Sequence, residues 1–221
     1  MFRHVRCVLF DLDGTLIDSA LDLGLAADEM RVARGLPSLP AAAYRASAGS
    51  GARGMLAVAF GLSPQHDEFN ALREEFLDRY EQRITRLTRL FEDVEQLLST
   101  LNQRGVAWGV VTNKHRRFTL PLTTTIPIFG SAGAIVCGDT TPHSKPHPGP
   151  LLEAMRQLCV QARDCLYVGD DVRDMQAGRA AGVATVAASY GYLGPDADIA
   201  RWPADAVIDR PAELLKLIDL A

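Results

Sequence analysis

Three apolar runs stop abruptly on polar residues of one kind. "CVLFD" ends at Asp11, "VAWGVVTN" at Thr112 and Asn113, and "CLYVGDD" at Asp170 and Asp171. Short runs rich in β-branched and aromatic residues, bounded by turn residues and separated by helical patterns, predict a parallel sheet flanked by helices. "GAIVCG", "VATVAAS" and "DAVID" supply further strands. The helical segments carry matching punctuation: "HPGPLLEAMRQLC" begins with prolines, while "DVEQLLSTLNQRG" and "RDMQAGRAAGV" close on Gly105 and Gly182. Proline near a helix start and glycine past its end suit the backbone at those positions.

Residues 17 to 87 break this alternation, because they contain no convincing buried strand. Leu23, Ala26, Met30 and Ala33 share one helical face, and Phe69, Leu72, Phe76, Tyr80 and Ile84 share another. A helical insertion after the first strand is the simplest arrangement. It divides the chain into an α/β sheet domain, residues 1–16 and 88–221, and a helical domain, residues 17–87. Between the outer helices lies "ASAGSGARGM", residues 46 to 55, a small-residue loop carrying Gly51 and Arg53.

Ligands of open parallel sheets bind in the crevice beyond the carboxyl ends of the strands, so the polar strand ends are expected to converge there. Asp11 and Asp13 lie two positions apart, and a chain that turns at Gly14 can aim both at one point. Held that close, two carboxylates repel unless a cation or a shared proton intervenes. Mg²⁺ fits best, since it is commonly held by one or two carboxylates with waters and substrate phosphate completing the octahedron. Asp170 or Asp171 would supply the next ligand. Thr112 and Asn113 add a hydroxyl, an amide and backbone N–H groups, and Lys145 in "SKPHP" adds a point charge suited to a phosphoryl oxygen. The set predicts phosphoryl transfer, in which one carboxylate attacks phosphorus and the other moves protons.

Composition narrows the partner. A 221-residue chain that is 48% hydrophobic and 23% charged is large enough for a real core. Its net charge of -4 comes with no long run of either sign, which leaves no footprint for nucleic acid and no polybasic patch for a membrane. No stretch approaches the roughly 18 apolar residues of a membrane span. The expectation is a cytoplasmic monomer acting on a small molecule. Cys7, Cys137, Cys159 and Cys165 show no metal-ligand spacing and read as buried, reduced thiols. His115, His143 and His147 read as surface or capping residues.

"DLDGT", "VVTN", "SKPHP" and "GDDVRD" resemble the four ordered motifs of the haloacid dehalogenase superfamily, and the helical insertion resembles its small helical cap. The resemblance implies a Rossmann-like core. It makes Asp11 the nucleophile that forms an aspartyl-phosphate, and Asp13 the acid that protonates the leaving alcohol and then activates water. Thr112 and Lys145 would bind phosphoryl oxygens. Mg²⁺ would sit on the Asp11 carboxylate, the Asp13 backbone carbonyl and Asp170. Asp174 would position Lys145 or metal-bound waters, while Asp171 stands open between a helix N-cap and a part in the metal site.

Within the superfamily, dehalogenases lack an aspartate at the position of Asp13, so a phosphatase is implied, with a phosphomutase as neighbour and a non-catalytic relative as the bland alternative. The cap length, "SKPHPGPLL" and "VGDDVRDMQAGRAAGV" are most similar to the phosphoglycolate phosphatase group, which includes relatives acting on N-acetylmuramic acid 6-phosphate. Phosphoglycolate is the substrate the resemblance favours, with N-acetylmuramic acid 6-phosphate or another small sugar phosphate as the alternative, and the first two bear a carboxylate. Arg53 would clamp it, beside Gly51 and Asn113 as substrate-binding residues. Two features depart from the family pattern. The Thr- and Pro-rich "RRFTLPLTTTIPIFGSA" stands where a regular amphipathic helix is usual, and "LFEDVEQLL" lacks the Pro-Gly that often precedes the next helix.

Overall fold

The computed structural model describes residues 1–194 and 196–219. Six parallel strands form one sheet: β1 (Cys7–Phe10), β4 (Ala107–Val111), β5 (Ala134–Val136), β6 (Cys165–Gly169), β7 (Ala184–Ala188) and β8 (Ala206–Ile208). Their order is β5-β4-β1-β6-β7-β8, with β1 at the point where the winding reverses. Parallel strands covered on both faces read as continuous apolar runs, and β1 is buried at every position. One face, with Val8, Phe10, Val110 and Val168, packs on α5 (Val94–Gln103) and α6 (Arg116–Thr125). The other, with Cys7, Leu9, Val111 and Tyr167, packs on α7 (Gly149–Leu158) and α8 (Val172–Ala180).

Four helices lie between β1 and α5: α1 (Ala20–Ala33), α2 (Ala42–Arg45), α3 (Gly51–Phe60) and α4 (Phe69–Glu81). Leu23, Ala26 and Met30 of α1 and Phe69, Phe76 and Tyr80 of α4 are buried, as their spacing predicts. Ala33 is exposed instead. A short pairing also lies inside the segment expected to be helix only. β2 (Ile17–Asp18) runs antiparallel to β3 (Arg89–Leu90), so the outgoing and returning chains are zipped together. Two-residue strands are too short to leave a period-two signal.

Residues 46 to 55 are not a loop. Ala48–Ser50 form a 3₁₀ turn and Gly51 opens α3, so Arg53 stands in the first turn of a helix. In α6 the threonines that disguise the helix are accommodated within it: the hydroxyls of Thr119, Thr123 and Thr125 donate to carbonyls four residues back, at 3.1, 3.1 and 2.7 Å. The helix is short, ending before Ile126-Pro127. Where the family often has Pro-Gly, Asp93 takes the left-handed conformation, φ +67°, at the start of α5. Cys7, Cys137 and Cys165 are buried free thiols, whereas Cys159 is exposed at the end of α7.

Candidate active site

The carboxyl ends of β1, β4 and β6 open into a cavity of about 270 Å³ walled by Asp11, Asp13, Thr112, Lys145, Asp170 and Asp174. Leu23 and residues 48–51 of the helical insertion line its far side. Lys145 is the hub. Its ammonium donates to Asp11 Oδ1 at 2.7 Å, to the Val111 carbonyl at 2.9 Å and to the Tyr167 hydroxyl at 2.8 Å, and lies 2.7 Å from Asp174 Oδ1. Burial alone would lower the lysine, but Asp11 and Asp174 more than reverse this and hold it above its ordinary value.

The acids around it are differently employed. Asp174 accepts from the Tyr167 hydroxyl at 3.1 Å through Oδ1 and from the Asp171 N–H at 3.1 Å through Oδ2. Both of its oxygens are thus committed. Asp171 caps α8 in a reciprocal capping box with Asp174 and also binds Arg173. Burial works against its charge, yet Arg173 holds its pKa below the ordinary carboxylate range. The Arg173 guanidinium in turn donates to the Gly49 carbonyl of the cap at 2.9 Å.

Asp11 is less saturated, and Asp170, although each of its oxygens accepts one hydrogen bond, has no ion pair among the described residues. Asp11 accepts a side-chain hydrogen bond from Lys145, while Asp170 accepts from the Thr15 hydroxyl at 3.1 Å and the Tyr192 N–H at 2.7 Å. Burial pushes Asp11 up to about 7 against the pull of Lys145, with Asp174 adding to the rise. Burial likewise holds Asp170 well above the carboxylate range, with Asp11 and Asp174 adding to it. Oxygens of Asp11, Asp170 and Asp174 all lie within 4.8 Å of one another. Hard, buried oxygen donors whose charge is disfavoured by their surroundings fit a divalent cation. The backbone makes room for them. A Cβ on Gly14, at φ +89°, or on Gly191 would stand 2.1 or 2.2 Å from Asp170 atoms.

Asp13 is held from two sides. The Ser19 hydroxyl donates to Oδ1, and the Lys114 ammonium approaches Oδ1 and Oδ2 at 3.0 and 3.2 Å. Lys114 also lies 4.7 Å over the ring of Tyr80 from the cap. Burial would lower Lys114, but Asp13 and Tyr80 raise it. Ser19 is fixed in turn by its N–H, which donates to the Tyr192 hydroxyl at 2.7 Å.

The fold therefore brings Asp11, Asp13, Thr112, Lys145, Asp170, Asp171, Asp174, Asn113 and Gly51 to one cavity. Two of the predicted contacts to substrate differ in detail. The Asn113 amide spends both its atoms on the Lys145 backbone, at 2.9 and 3.0 Å, so its side chain positions the lysine loop. Arg53 lies outside the catalytic cavity and lines a neighbouring one. His115 and His147 cap helix starts, as expected. Lys114, Ser19, Tyr192 and Arg173 were not singled out by the sequence reading as site residues. Lys114 alone had a sequence signal, being next to Asn113 at a polar strand end.

Residues 8–188 match the family model of the haloacid dehalogenase-like hydrolases. The chain belongs to this family. It is 42% identical over 218 residues to the N-acetylmuramic acid 6-phosphate phosphatase of Pseudomonas aeruginosa, covering 99% of this chain and 96% of the relative. It is 43% identical over 213 residues to the phosphoglycolate phosphatase of Xanthomonas campestris pv. campestris, covering 96% of each. Among solved structures, a predicted phosphoglycolate phosphatase from Haemophilus somnus superposes with a TM-score of 0.84 at 28% identity, covering 97% of this chain and 98% of that one. No helix among the described residues is long and apolar enough to cross a membrane.

Proposed function

We propose that the protein is a Mg²⁺-dependent phosphomonoesterase that works through an aspartyl-phosphate on Asp11, with residues 17–87 as a cap over the site. The observation that carries this reading is the convergence of Asp11, Asp13, Thr112, Lys145 and Asp170 on one cavity at the strand ends. The substrate is a small phosphomonoester bearing a carboxylate. The phosphatase relatives support this, one acting on phosphoglycolate and the other on N-acetylmuramic acid 6-phosphate by name.

The residues divide the work. Asp11 attacks phosphorus, and the ester P–O bond breaks as a P–O bond to Asp11 forms. Asp13 gives its proton to the departing alkoxide, then takes one from the water that releases phosphate and restores the Asp11 carboxylate. Lys145 neutralises Asp11 on one side and a phosphoryl oxygen on the other, held in place by Asp174, Tyr167 and Asn113. Thr112 offers its hydroxyl to another oxygen. Asp11, Asp170 and the Asp13 backbone carbonyl would hold Mg²⁺, whose charge supplies electrostatic stabilisation of the phosphoryl oxygens.

The test is release of inorganic phosphate from p-nitrophenyl phosphate with Mg²⁺. The wild type turns it over. Asp11→Asn, which keeps the shape of the side chain but not its nucleophilic charge, loses activity at least a thousandfold while retaining its circular-dichroism spectrum. Ordinary turnover by that variant removes the nucleophile assignment.

A further inference from the structure

Helix α1 begins on a serine that does not cap it. Serine is a favoured N-cap because its hydroxyl can accept an N–H from the first turn. Ser19 occupies that position, yet its side chain makes no capping hydrogen bond. Its one hydroxyl proton goes to Asp13 Oδ1 instead. The N–H groups at the buried helix start are therefore left to other acceptors.

One such acceptor arrives from the far end of the chain. Tyr192 stands in the loop after β7, and its hydroxyl accepts from the Ser19 N–H at 2.7 Å and the Ala20 N–H at 3.1 Å. Its own proton points to Asp18 Oδ1 at 3.2 Å, nearer than the Ser19 hydroxyl at 3.4 Å. The ring is held as well: the Arg45 guanidinium lies 5.2 Å over it, and the Phe91 ring is 6.5 Å away. The backbone N–H of the same tyrosine donates to Asp170 Oδ2 at 2.7 Å. Tyr190, two positions earlier, donates to the Thr15 carbonyl at 3.0 Å, and the Thr15 hydroxyl holds Asp170 Oδ1. The side chain of Tyr192 thus reaches the Asp13 side of the site, while its main chain reaches Asp170.

We propose that Tyr192 is a positioning residue for the proton transfer: it anchors the backbone at the start of α1 so that the Ser19 hydroxyl aims the Asp13 carboxyl at the leaving group. Lys114 supplies charge to Asp13, and Ser19 supplies direction. With Oδ1 accepting from Ser19, Oδ2 is the oxygen left to carry the proton to the departing alkoxide. Without the tyrosine hydroxyl, the serine is free to turn back and make the ordinary capping bond, and Asp13 loses its partner. This inference rests on the phosphomonoesterase reading above and leaves its chemistry unchanged.

The experiment measures kcat/KM with Mg²⁺ for two esters. One is p-nitrophenyl phosphate, whose leaving group departs without a proton; the other is whichever of phosphoglycolate and N-acetylmuramic acid 6-phosphate the wild type hydrolyses faster. Because kcat/KM reports only the steps through departure of the alcohol, a slow second half-reaction does not enter the comparison. Tyr192→Phe keeps the ring and the N–H to Asp170. It is expected to lower kcat/KM at least tenfold for the alkyl ester and less than threefold for the nitrophenyl ester, whose turnover reports that the variant is folded. Ser19→Ala should reproduce that split, and the double variant should be no worse than the poorer single one, because Tyr192 acts through Ser19. The Mg²⁺-induced rise in Tm should match the wild type in Tyr192→Phe. Equal losses for the two esters, an alkyl-ester loss under twofold, additive losses in the double variant or a collapsed Mg²⁺ shift would overturn the positioning role. A wild type that hydrolyses none of these esters would overturn the phosphatase reading itself.

Discussion

Lys114 sits where three demands meet: it neutralises Asp13, it lies over the cap residue Tyr80, and its backbone N–H donates to the Thr112 hydroxyl at 3.1 Å. A lysine so placed orients the proton donor of the reaction without touching phosphorus. Lys114→Met is therefore expected to slow hydrolysis of alkyl phosphates at least tenfold, part of the 10²–10⁴ that general acid–base help commonly supplies. p-Nitrophenyl phosphate should lose much less, because nitrophenolate leaves without a proton. Equal losses for both esters would remove the link through Asp13. The sequence reveals this residue only as a neighbour of Thr112 and Asn113, since nothing in one chain's spacing says that position 114 returns to position 13. Asp11, Asp13, Thr112 and Asp170 were legible for the opposite reason: each ends or follows an apolar run that could only be a strand, and strand ends of a parallel sheet have one destination; Lys145 was legible only as the cation of "SKPHP".

Between the two parts of the molecule, Asp22 in α1 binds the returning chain. Its fully buried carboxylate accepts from the N–H groups of Leu87 and Thr88 at 2.9 and 2.8 Å and from the Thr88 hydroxyl at 2.9 Å, with Arg83 at 3.4 Å. Together with the β2–β3 pairing it fastens the base of the helical insertion, and Arg45 on Asp18 at 2.8 Å adds a third tie. Removing one partner of a buried, hydrogen-bonded charge typically costs about 3–5 kcal/mol. Asp22→Ala should accordingly lower Tm by roughly 6–20 °C, at about 2–4 °C per kcal/mol for a chain of this size. A change within 2 °C in a calorimetric scan would show that these ties contribute little. The main helices and the six strands of the sheet were readable from period and punctuation. The β2–β3 zipper and the helical start of α3 were not, because two-residue strands and glycine-rich helix starts carry loop-like composition.

The assembled molecule places a cluster of buried carboxylates beside the helical insertion. Burial holds Asp11 at about 7 and Asp170 above the carboxylate range, so protons and a divalent cation compete for the same oxygens. The raised Asp11 is increasingly free of its proton as pH rises through 7, and Asp170 is shifted in the same direction. Mg²⁺ binding should strengthen from pH 6 to pH 8, read as a larger Mg²⁺-induced rise in Tm at the higher pH. An equal rise at both would contradict the raised Asp11. EDTA should abolish activity and Mg²⁺ restore it, whereas Ca²⁺, which accepts a looser and larger ligand set, should not. The most direct measurement is to locate the phosphoryl group itself. Asp13→Asn, which slows the second half-reaction by removing the base, is mixed with Mg²⁺ and p-nitrophenyl phosphate, quenched in acid and mapped by peptide mass spectrometry. The account predicts phosphate on the peptide containing Asp11, and none when Asp11→Asn is combined with it. Label on any other residue, or label that survives Asp11→Asn, would contradict it.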